Sequence, residues 1–201
     1  MRIVGGRFGG RHVRVPVGKG TRPTAERVRE AIASVLAARG AIEEARVLEL
    51  YAGTGALGFE LLSRGAAHVV FVEKDGSMAS AIQGVASELG LVDEVTVLRA
   101  DVTKERAQSD VLARGPYSLV LADPPYRDAE AALLRIAELA ERGLLSEDAL
   151  LLLETSAKQA PSLPVSFTLL SHYRYGDTAV ALFCSRAEAR ASTITRGGDQ
   201  Q

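Results

Sequence analysis

Short uninterrupted apolar runs alternate along this chain with stretches in which apolar positions recur every three or four residues. The runs Arg46–Leu50, Ala67–Glu73, Glu94–Arg99 and Ser118–Asp123 have strand length. Their lack of polar alternation predicts strands buried on both faces of a parallel sheet. Helical periodicity predicts helices near 56–64, 76–89, 103–113 and 129–142, with Gly65, Gly90 and Gly143 following three of them as terminators. Alternation of this kind builds a doubly wound α/β sheet. Ala149–Glu154 reads as a fifth buried strand. Phe167–Arg174 and Thr178–Ser185 are separated only by Tyr175-Gly176-Asp177, too short for a crossover helix, so these two strands are predicted to pair antiparallel.

Upstream, Thr24 reads as the N-cap of a helix to Ala38, with Val28, Ile32 and Val35 or Leu36 on one face, Glu26 in the first turn and Gly40 as terminator. Residues 2–5 and 11–15 are β-prone and flank Gly5, Gly6, Gly9 and Gly10, which predicts a hairpin. The expected organisation is a basic N-terminal hairpin over 1–20, an α/β domain over 21–185 and a polar flexible tail over 186–201. No internal repeat is visible.

Charge sharpens this picture. The net charge is −1, but residues 1–30 hold Arg2, Arg7, Arg11, Arg14, Lys19, Arg22, Arg27 and Arg29 against only Glu26 and Glu30. A basic segment on an otherwise acidic protein is the footprint expected where a polyanion binds one face, although a merely solvated arm has the same composition. The single cysteine, Cys184, excludes an internal disulfide framework and a Cys-rich zinc site. The lack of a long apolar run or signal-like segment argues against a membrane role and for a cytoplasmic location.

Two motifs carry candidate chemistry. The first strand runs through Glu49 into Tyr51-Ala52-Gly53-Thr54-Gly55-Ala56-Leu57-Gly58 and then a helix. Gly53 and Gly55 remove Cβ atoms where a ligand would lie against backbone, and Gly58 permits close helix–strand packing. The spacing satisfies the dinucleotide pattern, so NAD fits it as well as S-adenosylmethionine does. Glu73, 20 residues beyond Gly53, is placed for two ribose hydroxyls with either cofactor. A negative Glu49 just before the loop opposes a pyrophosphate and suits a sulfonium or ammonium. Asp101 fits an adenine amino group or, equally, the N-cap of the helix expected near Thr103.

The second motif is Asp123-Pro124-Pro125-Tyr126, entered directly from a buried strand. Two prolines hold the chain extended, and no helix can start before Asp128. The Asp123 carboxylate and the Pro124 carbonyl then form two fixed acceptors at the carboxyl end of the sheet, where ligands of such folds bind. An aryl amine bonded to both directs its lone pair outward toward a methyl donor. Tyr126 is suited to stack on a flipped base, worth about 1–3 kcal/mol. The competing reading is a rigid turn with a core tyrosine.

These motifs together resemble the RsmD family of bacterial 16S rRNA (guanine-N2) methyltransferases. The matching segments are Arg2–Gly6 with Gly10-Arg11, Thr21–Thr24 with Arg27–Glu30, Leu50–Gly58 with Ser63–Ala66, Asp123–Tyr126, and Tyr175–Thr178, in one order over nearly the whole chain. The resemblance implies a Rossmann-like class I methyltransferase fold: a mostly parallel seven-stranded sheet with a C-terminal antiparallel hairpin, preceded by the small basic β-hairpin. It also implies a monomeric enzyme that uses S-adenosylmethionine to methylate a guanine 2-amino group in 16S rRNA of the assembling 30S subunit. Asp123, Pro124 and Tyr126 become the catalytic candidates. Glu49, Tyr51, Ala52, Gly53, Thr54, Gly55, Glu73 and Asp101 become cofactor contacts, joined by Thr24 near the methionine half. Arg2, Arg7, Arg11, Arg14 and Arg22 become RNA contacts. Phe8-Gly9 stands where the family often has a basic residue, and Thr54 where it often has Ser.

Rival readings remain. An NAD-linked oxidoreductase leaves Asp123–Tyr126 without a task. Another RNA or a DNA amine, of adenine or guanine, suits the same corner, whereas enzymes acting on a glutamine side chain usually carry Asn in place of Asp123. A ribosome-binding protein without catalysis has no need of both intact half-sites. His12, His68 and His172 have no metal-ligand spacing, Tyr173 and Tyr175 fit strand packing as well as RNA contact, and Cys184 reads as a small buried residue.

Overall fold

The apolar runs become strands of one sheet, with the run ending at Arg99 at its edge, in the computed structural model, which describes residues 1–16, 23–125, 128–157 and 167–185. The elements are α1 (Pro23–Ala38), β1 (Arg46–Leu50), α2 (Ala56–Ser63), β2 (His68–Glu73), α3 (Gly76–Leu89), β3 (Val95–Arg99), α4 (Glu105–Leu112), β4 (Tyr117–Ala122), α5 (Ala129–Glu141), β5 (Leu145–Ser156), β6 (Phe167–Tyr175) and β7 (Thr178–Ser185). The strand order is β3-β2-β1-β4-β5-β7-β6. β1 to β5 are mutually parallel, and β7 runs antiparallel to both β5 and β6. The expected seven-stranded, mostly parallel sheet with a C-terminal antiparallel hairpin is therefore present.

Alternate residues of each central strand feed opposite cores. Val47, Phe71, Leu119, Leu121 and Leu152 pack with side chains of α1, α2 and α3, such as Ile32, Leu36, Phe59 and Ile82. Leu48, Leu50, Val70, Val120 and Leu153 pack with Val111 of α4 and Leu133 and Ile136 of α5. Burial on both faces is why these strands show no polar alternation.

Several boundaries differ from expectation for identifiable reasons. α1 begins at Pro23, not after a Thr24 cap, because proline's missing N–H is harmless at the first helical position. Thr24 thus sits in the first turn, and its side chain lies outside the described residues. α4 starts at Glu105, since Asp101 ties the preceding residues into a turn: it accepts from Thr103 N (3.0 Å) and Thr103 Oγ1 (2.7 Å), while Lys104 N donates to the Asp101 carbonyl (2.9 Å). β5 begins four residues early, where Leu145 pairs with Tyr117 before an irregularity in register. Its polar Glu147-Asp148 step, with Asp148 at φ 61°, hides that extension from an apolar-run reading.

The N-terminal segment forms a short, irregular hairpin: Met1 and Val13 exchange backbone hydrogen bonds at 2.9 Å, Ile3 N donates to the Arg11 carbonyl at 3.0 Å, Arg2 bridges His12, and a 3-10 turn spans Gly6–Phe8. The backbone N–H groups of Val4, Gly5 and Phe8 bond to Glu60 and Ser63 of α2 instead of a facing strand. Among the described residues no helix is long and apolar enough to cross a membrane.

Candidate active site

The order β2-β1-β4-β5 places a change of winding direction between β1 and β4: α2 leaves β1 toward one face and α5 follows β4 on the other. A crevice opens outside the carboxyl ends of strands at such a point. Leu50 of β1 pairs with Ala122 of β4, so Tyr51 and Asp123 are the residues that leave these adjacent strands. Leu50 also pairs with Val72, which precedes Glu73, and Ala122 pairs with Leu153, which precedes Glu154. The glycine loop and the Asp-Pro-Pro bend therefore border one crevice.

The loop is anchored from below. Glu73 accepts from Gly53 N through Oε2 (2.7 Å) and from Asp75 N through Oε1 (2.8 Å), and each oxygen retains a lone pair for a further donor. Ala52 N donates to Val72 O at 3.1 Å. Tyr51 is held at φ 59°, a conformation that is costly for a bulky residue and concentrates at functional sites. Gly53 adopts φ +55°, and a Cβ there would meet open space, so there is room beside this backbone at the crevice. Gly55 differs from expectation: its Cβ would meet Phe71 Cε1 at 2.9 Å and Phe59 Cε2 at 3.2 Å, so glycine serves core packing there. Gly58 lies so close to β1 and β2 that a Cβ would sit 2.5 Å from Glu49 Oε2 and from Phe71 Cε1.

Three carboxyl groups converge on the crevice. Glu49 is buried and accepts from Gly58 N (2.8 Å). Burial dominates over that hydrogen bond and pushes its pKa up to about 8, with a smaller upward contribution from Asp123. Burial thus favours the neutral acid as long as no cation faces the loop, and a sulfonium placed there would favour the carboxylate. Asp123 is raised to about 6 by desolvation, although the residue has ample free surface: protein crowds the carboxyl while the crevice leaves one side open. Glu154 is raised to about 8, first by desolvation and then by repulsion from Asp123. Pro124 is buried and Pro125 exposed. The Pro125 carbonyl accepts from Asp128 N (2.7 Å), and α5 starts at Ala129.

Asp101 lies at the crevice edge near Tyr51, whose hydroxyl pKa it helps raise after desolvation. The two Thr103 hydrogen bonds, side chain first, lower the Asp101 carboxyl, and both use Oδ1. Asp101 caps a turn, not α4, whose N-cap is Lys104.

Arg2, Arg7, Arg11 and Arg14 are all exposed on the N-terminal arm. Arg2 pairs with Glu26 at 3.4 Å and Arg7 with Glu94. The Arg7 and Arg11 guanidinium groups lie 4.9 and 5.4 Å from the Phe8 ring centre. Tyr126 and Arg22 fall outside the described residues. Glu154 and Glu60 escaped sequence reasoning. Each had a signal, an acidic residue closing a buried apolar strand and an acidic residue inside the apolar helix Ala56–Ser63. His68 bonds Thr96 Oγ1 at 3.0 Å and belongs to the sheet edge. A recess lined by Arg39, Glu43, Glu44, Glu147 and Asp148 lies at the other end of the sheet and holds no candidate residue.

A family model described as "Conserved hypothetical protein 95" matches residues 1–184. The chain is 32% identical over 198 residues to "Ribosomal RNA small subunit methyltransferase D" of Escherichia coli (strain K12), covering 95% of this chain and 93% of that protein. A solved hypothetical protein from Thermus thermophilus superposes with a TM-score of 0.74 at 27% identity, over 90% of this chain and 98% of that one. The magnesium protoporphyrin IX methyltransferase of Synechocystis PCC 6803, solved with bound SAM, shares the fold at TM-score 0.59 and 18% identity, over 83% of this chain and 86% of that one.

Proposed function

The chain belongs to the family of ribosomal RNA small subunit methyltransferase D homologues and is an S-adenosylmethionine-dependent methyltransferase, and we propose that its target is the exocyclic 2-amino group of a guanine in 16S rRNA of the assembling 30S subunit. The observation that carries this reading is the pairing of Leu50 with Ala122, which sets Tyr51 and the glycine loop beside Asp123 at one crevice.

The residues present fit the cofactor. Open space faces Gly53, and Glu73 keeps acceptor capacity for ribose hydroxyls. We assign the adenine amino group to Asp101, whose Oδ2 makes none of the Thr103 bonds, and further contacts to Tyr51, Ala52 and Thr54, with Thr24 and Glu49 toward the methionine half. Gly55 then acts on the cofactor only by shaping the loop. When bound, the cofactor supplies a methyl group on a positively charged sulfur, and the C–S bond breaks as the N–C bond forms, with the electron pair staying on sulfur.

The chain's part is alignment and charge. Asp123 and the Pro124 carbonyl accept the two amine hydrogens and turn the lone pair toward the methyl, with the reacting atoms about 3–3.5 Å apart. Positive charge grows on the nitrogen as the bond forms, and the Asp123 carboxylate, ionised above about pH 6, stabilises it before the extra proton leaves by way of that carboxylate to solvent. We assign Tyr126 the stacking role on its place in the sequence. The arm arginines hold the RNA backbone. An NAD-linked oxidoreductase leaves the bend without use.

Mass mapping of methylated nucleosides in rRNA from cells lacking this protein tests the reading. A missing N2-methylguanine in 16S rRNA, restored by the wild-type chain and not by Asp123→Ala, is the expected result. Normal 16S methylation in those cells would overturn it.

A further inference from the structure

The arm and the helix that rises from the glycine loop are joined at one buried side chain. Glu60 of α2 is fully buried. Its Oε2 accepts from Val4 N at 2.7 Å, and its Oε1 accepts from Gly5 N at 2.9 Å and from Arg64 Nε at 2.8 Å. Arg29 of α1 approaches within 3.9 Å and also donates to the Arg2 carbonyl at 2.5 Å. One turn along α2, Ser63 Oγ accepts from Phe8 N (2.9 Å) and donates to Gly5 O (2.5 Å). The fit is close: a Cβ on Gly6, at φ +74°, would lie 1.8 Å from the Ser63 carbonyl oxygen.

These bonds engage the arm's backbone, and with Ile3 and Val13 buried in the core they leave the arm's arginines outward. Arg7 and Arg11 are exposed on either side of Phe8, and Arg14 is exposed further along. A carboxylate buried without need on an eight-residue helix would be unfavourable. This one is fully employed in fixing where three basic residues stand relative to the loop that opens α2.

We propose that Glu60 is a positioning residue for the RNA substrate: by locking the N-terminal arm onto α2 it makes arm and cofactor loop one rigid body, so that RNA held by the arm arrives in register with Asp123. This rests on the RNA-binding reading of the arm given above. Glu60 touches neither RNA nor cofactor and acts through the backbone of Val4 and Gly5. A carboxamide cannot replace it, because its NH2 group would face donors already pointing at that position.

The test compares Glu60→Gln, Gly6→Ala and the double variant Arg7→Ala/Arg11→Ala in methylation of 30S particles, with the cofactor dissociation constant measured by calorimetry. Gly6→Ala displaces the arm while leaving the Glu60 side chain itself unaltered, so it stands in should Glu60→Gln fold poorly. The expected result is a rise of about tenfold or more in KM for particles in both Glu60→Gln and Gly6→Ala, on the scale of a misplaced positioning group. Maximal rate and cofactor affinity should stay within about twofold of wild type. The salt dependence of KM should also flatten, by about 0.7–0.9 in log–log slope for each phosphate no longer held by the arm. If the arginine variant raises KM while Glu60→Gln and Gly6→Ala leave KM and its salt slope unchanged, the positioning role is wrong and the RNA reading of the arm survives. If the arginine variant itself leaves KM unchanged, the RNA reading fails and takes this inference with it. A fall in cofactor affinity that parallels any rise in KM would reduce Glu60 to a structural support of α2.

Discussion

Two groups of carboxyl side chains are partnered in opposite ways. Glu60, under the N-terminal arm, is surrounded by two backbone N–H groups and the guanidinium groups of Arg64 and Arg29. Glu49, Asp123 and Glu154, at the crevice, share one hydrogen bond to Gly58 N, and among the described residues none of the three forms an ion pair with Lys or Arg. Their pKa values rise accordingly, with desolvation the first cause in each case. A carboxylate whose partners come from the protein holds the protein together. One that is desolvated and left wanting a partner is poised for a ligand that brings donors and positive charge, as an aryl amine and a sulfonium do.

The largest expected effect falls on the crevice side. Asp123→Ala should lower kcat for rRNA methylation by about a hundredfold or more, the scale of losing a preorganised electrostatic partner. The urea midpoint should hold or rise, because a desolvated carboxylate under repulsion has been removed. Single-turnover rates and urea titration read the two quantities separately. A variant with full rate and lost stability would reverse the assignment of the two groups.

Glu60→Ala should show the inverse pattern in stability. It strands two backbone N–H groups and the partly buried Arg29 and Arg64, and should cost about 3 kcal/mol. Chemical denaturation at unchanged m-value checks this. A loss under about 0.5 kcal/mol would mean that water satisfies those donors and that the arm is held loosely.

Within the loop the same contrast separates two glycines. Gly58→Ala drives a methyl into Glu49 Oε2 and Phe71 and should cost about 1–3 kcal/mol by overpacking. Gly53→Ala meets no protein atom and should cost about 1–2 kcal/mol through its left-handed backbone. Its added methyl should weaken S-adenosylmethionine binding out of proportion to that loss. Thermal unfolding paired with cofactor titration distinguishes them, and equal affinity losses in both variants would deny that the space at Gly53 is the ligand's.

What could be read from the residues follows the same physics. β1 and α3 match their expected bounds because local signals close them: a short run that ends at the glycine loop in one, Asp75 accepting from Ser77 N and Met78 N and a left-handed Gly90 in the other. Asp123 was visible because two prolines follow it, a costly arrangement without a purpose. Glu154 ends the apolar run of its strand, two residues before the strand itself ends, but no motif surrounds it, and only the β4–β5 register brings it beside Asp123. Glu60 looks like an ordinary polar position on a short helix until the arm, more than fifty residues earlier in the chain, folds over it. Local signals mark elements and rigid corners, whereas the partner of a buried charge is a long-range fact.

The last test concerns pH and addresses the ionisation of Glu49 directly. The folded-state pKa of about 8 stands above the ordinary glutamate value of 4.5, so between these values the native state holds a proton that the unfolded chain has released. Stability from this group is present below pH 4.5 and is lost progressively as pH rises toward 8. Glu49→Gln keeps an oxygen for Gly58 N and cannot ionise, so its urea midpoint should match wild type near pH 5 and exceed it increasingly toward pH 8. Asp123 and Glu154, raised in the same direction, leave a residual slope in both proteins. Parallel curves across the whole range would mean that Glu49 ionises without penalty, and would leave Asp123 and Glu154 alone as the groups awaiting a ligand.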